Sequence, residues 1–198
     1  MTDKISVTLP KVYESVPVDE GVADSVSAYR LETVQCHGAV RVYPIDADRA
    51  MYVDDPFSVI DGLRQALAPN QGIVEVRIAK LASGARGVYS IVKTRTPHDA
   101  LQYVLTFHIV SGEDALCVQG AFEEAGKTGA RDAVGYAMLV QAGRIDETGQ
   151  GFARDPYDPT YMRGELMTLA EDESLDNMFP EHPLTIARAL ATHIVNNA

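Results

Sequence analysis

The segment with the strongest claim on chemistry is Ala121-Phe-Glu-Glu-Ala-Gly126-Lys127-Thr128, whose glycine, lysine and threonine fall at the spacing of a phosphate-cradling loop. Such a cradle converges backbone N–H groups on an anion, and Glu123 and Glu124 would set two carboxylates in the same space. The segment therefore reads as a strand-to-helix turn. Cys36 and His37 pair a thiol with a base, but neighbours in an extended strand point to opposite faces. Both Cys36 and Cys117 read as small buried apolar residues. The five histidines, His37, His98, His108, His182 and His193, show no His-Glu-x-x-His or other compact ligand spacing. Asp46, Asp48, Asp54 and Asp55 crowd one connection without the register of an EF-hand or its bidentate glutamate, which leaves helix capping and solvated loop as their use. No Gly-x-Ser-x-Gly elbow is present. The sequence thus assigns no catalytic residue, no cofactor and no metal ligand.

Two looser constellations remain. His108 alternates with Val104, Thr106 and Val110 on the second face of a strand whose first face carries Tyr103, and Asp155 lies in a later polar segment. Tyr103, His108 and Asp155 are the candidates for a pocket between a sheet and a C-terminal arm. The other constellation is acidic. Asp46, Asp48 and Asp54, with Glu171, Asp172 and Glu173, are expected on a surface that would attract a basic partner protein.

Charge supports that choice of partner. The 198 residues carry 28 acidic and 17 basic side chains, a formal charge of −11 that opposes phosphate backbones and anionic lipid surfaces. There is no tryptophan to stack on a base and no basic cluster interleaved with aromatics, so nucleic acid is excluded as an expectation. No apolar run approaches membrane-spanning length, and the first residues lack a signal-peptide core. Two cysteines outside any Cys-x-x-Cys pairing suit a reduced compartment, and the cytoplasm is the expected location.

The elements that must position these residues follow from periodicity. Residues 1–24 read as an irregular lead-in, part of it covering a sheet edge. Residues 26–34 and 39–45 are β-rich stretches around Gly38 and suggest a hairpin. Asp55-Pro56 opens a helix over 56–68 with Phe57, Ile60, Leu63 and Leu67 on its apolar stripe. Val74, Val76 and Ile78 then alternate with Glu75, Arg77 and Ala79. Further strands follow over 88–93, 101–110 and 115–122, the second carrying Leu101, Tyr103, Leu105, Phe107 and Ile109 on one face. Their connections are too short for a crossover helix, so the meander must be antiparallel. A helix capped by Thr128 runs to Ala142 with Ala130, Val134, Ala137 and Met138 inward. Residues 144–161 form a polar arm. A last helix begins at Pro183 and presents Leu184, Ala187, Leu190, Ala191 and Ile194 to the domain. The expectation is one α+β domain over 1–198: a 25–143 core, with an antiparallel β-sheet of about six strands flanked by helices in an αβα-sandwich-like arrangement, and a 144–198 C-terminal arm and helix.

The strands over 88–93, 101–110 and 115–122, followed by a glycine turn and the helix through Gly135, resemble the Mog1/PsbP-like fold. That resemblance implies an antiparallel sheet sandwiched by helices and an accessory or binding role. Asp155-Pro-Tyr-Asp-Pro159, Ala170-Glu-Asp-Glu173 and Phe179-Pro-Glu-His-Pro-Leu184 resemble the C-termini of uncharacterised bacterial proteins, which transfers no catalytic residue. The functional expectation is a non-enzymatic bacterial binding or adaptor protein with an acidic surface. The alternatives are a small enzyme or ligand-binding protein with a site between the sheet and the C-terminal arm, and self-association through an exposed sheet edge or the terminal helix.

Overall fold

A computed structural model describes residues 5–18 and 26–198; the readings made for 1–4 and 19–25 lie outside these residues. The centre is an antiparallel sheet of seven strands in the order β1-β2-β3-β7-β6-β5-β4. The strands are β1 (Glu14–Val16), β2 (Ser27–Glu32), β3 (Cys36–Asp46), β4 (Gln71–Lys80), β5 (Arg86–Arg95), β6 (Leu101–Ser111) and β7 (Asp114–Glu124). The α+β class and the four-strand meander are as the period-two pattern requires. Short turns join the meander, with Gly84 and Gly112 at φ 87° and 63°, which a residue without Cβ adopts at little cost. The additional strand is β1, whose three residues pair with β2 from Glu14↔Arg30 to Val16↔Ala28. It is too short to show a period, so the sequence reads it as irregular.

Helices cover both faces. On one face α3 (Pro183–Asn197) buries Leu184, Ala187, Leu190, Ala191 and Ile194 against Leu105, Phe107, Ile109, Val118 and Phe122. Each large side chain among them contributes roughly 1.5–3 kcal/mol of burial. On the opposite face α1 (Pro56–Ala66) sets Val59 and Ile60 on Ile73, Val76 and Val88. Asp55 caps α1 as expected, accepting from the N–H groups of Phe57 and Ser58. Phe57 departs from expectation: it is 73% exposed, and Val59 takes its place in the core. A bulge between Ile73 and Glu75 also breaks the alternation of β4. Val74 joins the α3-side core while Val76 joins the α1-side cluster, so these two valines do not share a face.

The second helix, α2 (Ala130–Gln141), lies over the arm rather than directly on the sheet. It is capped at Gly129 in the left-handed region, φ 70°, with no side-chain cap, so Thr128 does not serve. Its buried face is Arg131, Gly135 and Leu139; Ala130, Val134, Ala137 and Met138 are all exposed, the reverse of the expected stripe. The cause is the arginine, which acts as the anchor of the inward face and is invisible to an apolar count. Gly135 allows close approach: a Cβ there would meet the Ala170 Cβ at 2.5 Å.

The arm closes the β4 edge. Glu165 N–H donates to the Gln71 carbonyl at 2.9 Å, and the Tyr157 hydroxyl meets both the N–H and the carbonyl of Val76. A small pair, β8 (Ala153–Arg154) with β9 (Met167–Thr168), stiffens the crossing. Gly72 sits directly under this seal, where a Cβ would overlap the Glu165 carbonyl. Gly72→Ala should therefore destabilise the protein by about 2 kcal/mol. Urea denaturation reads that loss, and limited proteolysis should cut first within 153–165. An unchanged midpoint with an intact arm would show that the seal is not tight.

Candidate functional site

Under the arm, the sheet and two helices contribute ionisable groups to one buried centre. Lys93 of β5 and Tyr103 of β6 face each other across the ladder, a register that puts both side chains on the α3 side. Glu171, at the end of a 3-10 turn over Leu169–Glu171, reaches down between them. Its Oε2 accepts from Lys93 Nζ at 2.8 Å and from Thr168 N–H at 2.6 Å; its Oε1 accepts from the Tyr103 hydroxyl at 2.7 Å. Lys93 and Glu171 are both 0% exposed. Glu171 is therefore not part of an acidic surface, and that expectation is corrected: a lysine in the core draws it inward.

Electrostatics lock the centre. Burial pushes the Glu171 carboxyl up, but the Lys93 charge and hydrogen bonds from Lys93, Thr168 and Tyr103 outweigh it, and the net direction is down. Tyr103 is held well above its ordinary value, by burial first and by the Glu171 charge next. Asp132 of α2 is raised, by burial and then by Glu171, although Thr168 Oγ1 donates to it at 2.7 Å.

A second chain of charges runs alongside. Tyr89 donates to Glu75 Oε1, Arg188 of α3 donates to Glu75 Oε2 at 2.8 Å and to Asp176 at 3.0 Å, and Arg131 donates to Asp176 at 2.7 Å. Arg131 also binds the carbonyls of Ala170 and Asp172, and Arg188 that of Glu171. These guanidiniums tie α2 and α3 to the same three residues of the arm. The hydrogen-bonding groups of the centre thus serve one another, as a fastening does; a substrate would have to displace the arm to reach them.

The turn that mimics a phosphate loop is filled by its own glutamate. Glu124 accepts from Leu101 N–H and Gly129 N–H, both at 3.0 Å, and His182 Nε2 lies 3.5 Å from it. His182 Nδ1 accepts the Leu184 N–H and so caps α3.

The other pocket candidates are dispersed. His108 is on the opposite face of β6, where its Nδ1 accepts the Met51 N–H at 2.8 Å and burial lowers its pKa. A neutral imidazole whose lone pair is occupied is a brace for the 46–53 loop, not a base. Asp155 is 5% exposed at the sheet edge, with Oδ1 taking Arg64 at 2.6 Å and the N–H groups of Tyr157 and Asp158. The structure does not bring Tyr103, His108 and Asp155 into one cavity.

Of the acidic residues, Asp172 caps the 3-10 helix over Glu173–Met178 and Glu173 pairs with Arg77. Asp46 and Asp48 are exposed, as is Asp54, which pairs with Arg86. Beside them lie Phe57 and Tyr52, the latter 69% exposed and bordering a shallow apolar depression of about 220 Å³ with Met51 and Leu63. A wider apolar groove of about 410 Å³ runs between α3 and the β1–β2 edge, with Tyr13, Leu31 and Leu190 in its walls and Glu32 and Glu181 among its lining residues. Sequence reasoning missed both, because it placed Phe57 inward and left residues 1–24 without structure. Among the described residues no group of three or more His, Cys, Asp or Glu is placed to hold a metal, and no helix is long and apolar enough to cross a membrane.

No known family model and no curated relative matches the chain. Among solved structures, PA94 of Pseudomonas aeruginosa, a protein of unknown function described as a candidate regulator, aligns with 68% of this chain and 95% of its own, at 9% identity and a TM-score of 0.40. A likeness at that level carries no argument about function.

The buried centre makes a pH-dependent test possible. Lys93→Met leaves Glu171 ionised without its cation and should cost about 3–5 kcal/mol at pH 7. Glu171 contributes stability above its ordinary value of 4.5, and the contribution is lost as pH falls through its lowered folded value. In the variant the carboxyl should instead be raised, so the penalty shrinks on acidification toward pH 5, and adding Glu171→Gln should recover part of it at pH 7. Urea titrations at both pH values read this; a penalty that is constant with pH would remove the charge argument.

Proposed function

We propose that this protein is a non-enzymatic binding protein that engages a basic partner protein through the acidic, aromatic surface formed by the 46–55 loop and the start of α1. The observation that carries this reading is the exposure of Tyr52 and Phe57 among Asp46, Asp48, Asp54, Asp55 and Asp61, all exposed. Exposed aromatic side chains supply contact area at low entropic cost and act as anchors once a partner excludes water from them. The carboxylates around them favour lysine and arginine on that partner and speed the encounter. His108 and the Asp55 cap hold the surface in place from below. Kinship with Mog1/PsbP-like accessory proteins is part of the same proposal, supported by the order of four meander strands followed by a helix.

An amphipathic peptide of alternating leucine and lysine blocks is a suitable probe. It should bind saturably, weaken as NaCl rises from 50 to 300 mM, and shift amide NMR signals within 46–63. Tyr52→Ser with Phe57→Ser should lower its affinity by about tenfold or more while leaving the fold intact. Binding that ignores salt, or that survives the double substitution, would sink the proposal.

A further inference from the structure

We propose that the cavity between α2 and the arm is a binding site for a small organic carboxylate with an apolar body. The cavity has a volume of about 150 Å³ and is walled by Met138, Leu139, Leu169 and Leu175. Arg144 and Arg154 line it as well, and both are exposed, which places them at the solvent side. Each comes from a different element: Arg144 follows the end of α2, and Arg154 belongs to β8.

Three features separate this cavity from an ordinary surface dimple. First, its cations are uncommitted. The arginines of β4, β5, α1, α2 and α3 are held by carboxylates (Arg77, Arg86, Arg95, Arg64, Arg131 and Arg188), whereas Arg144 and Arg154 form no ion pair among the described residues. In a chain of formal charge −11, two guanidiniums left free at one apolar cavity are a local inversion of the field. A guanidinium is always charged and presents a fork of donors that matches a carboxylate.

Second, the walls are preorganised. Gly135 lets Ala170 press against α2, and Arg131 fixes the carbonyls of Ala170 and Asp172 from behind. A site held in this way loses little freedom when a ligand enters. Third, the one carboxylate at the cavity, Asp172, is already engaged: its Oδ1 accepts both the N–H and the hydroxyl of Ser174. Two cations against one occupied carboxylate leave the mouth positive, and Asp172 Oδ2 remains available to an ammonium group.

Size restricts the ligand further. The cavity, at about 150 Å³, is small. Sites for drug-sized ligands run from roughly 300 Å³ upward. Nucleotides, fatty acids and phospholipids are therefore too large, and a short branched-chain or similar acid fits. Whether the ligand also bears an amine is read by Asp172.

The test uses 4-methylpentanoate, 4-methyl-2-oxopentanoate and leucine as probes, with acetate as a control that lacks the apolar body. Amide NMR titration of the full chain should show saturable shifts within 135–144, 152–154 and 169–175 for at least one of the three. Arg144→Gln with Arg154→Gln, both at exposed positions, should weaken that probe at least about tenfold without moving the thermal midpoint. Met138→Trp should block it by filling the cavity. Asp172→Asn should selectively weaken leucine if the ligand is an amino acid and should favour the two acids if it is not. No saturable shift with any probe up to 10 mM, or binding that persists in the double arginine variant, overturns the proposal. The 46–63 surface is remote in sequence from these signals, so failure here is separate from failure of the partner-binding reading.

Discussion

Everything on the α3 side of this protein is arranged around one lysine that cannot leave the sheet. Lys93 lies in the last third of β5 with no exposed surface, so its charge must be answered within the core. An isolated buried ammonium would cost several kcal/mol in desolvation. Glu171 supplies the answer, and because it comes from the arm, satisfying Lys93 draws the chain from Thr168 to Asp172 down onto the sheet. Once that backbone is in place, its carbonyls become acceptors for Arg131 and Arg188. Both helices are thereby oriented by hydrogen bonds to one short segment. An ionic core of this kind adds little net stability over an apolar one, but it admits few alternative packings, which is a reason for a strand-rich domain to keep it.

The sheet was legible because its signal is local. Leu101, Tyr103, Leu105, Phe107 and Ile109 alternate without interruption, and all five are buried on one face. The last helix was legible for the same reason: Leu184, Ala187, Leu190, Ala191 and Ile194 mark its buried face even though Arg188 is buried among them. Legibility failed where a polar residue does the work of an apolar one. In α2 the inward face is built on Arg131, so the 3.6-residue pattern pointed to the wrong side. In β4 the bulge after Ile73 rotates Glu75 into the core, a change of phase that no two-residue alternation can announce. β1 was lost because three residues do not make a period.

The candidate sites show a sharper version of the same limit. Glu171, Asp172 and Glu173 are consecutive carboxylates with different fates: one is buried on a lysine, one caps a 3-10 helix, and one pairs with an exposed arginine. Nothing within the tripeptide separates them, since the lysine that selects Glu171 lies 78 residues away. Tyr103 and Asp155, candidates for one pocket, instead fasten the arm at two different places. Phe57 shows the converse: it stands on the apolar stripe of α1 in the sequence and on the surface of the fold. Val59 packs on Ile73, Val76 and Val88 in its stead, a choice set by the sheet and not by the spacing within the helix.

The sealing of β4 has a consequence for how such a molecule meets its own kind. With Tyr157 holding both backbone groups of Val76 and Glu165 holding the Gln71 carbonyl, a strand arriving at that stretch of the edge finds its hydrogen bonds already made. That stretch of the border is closed to a second copy by the same arm that answers the buried lysine.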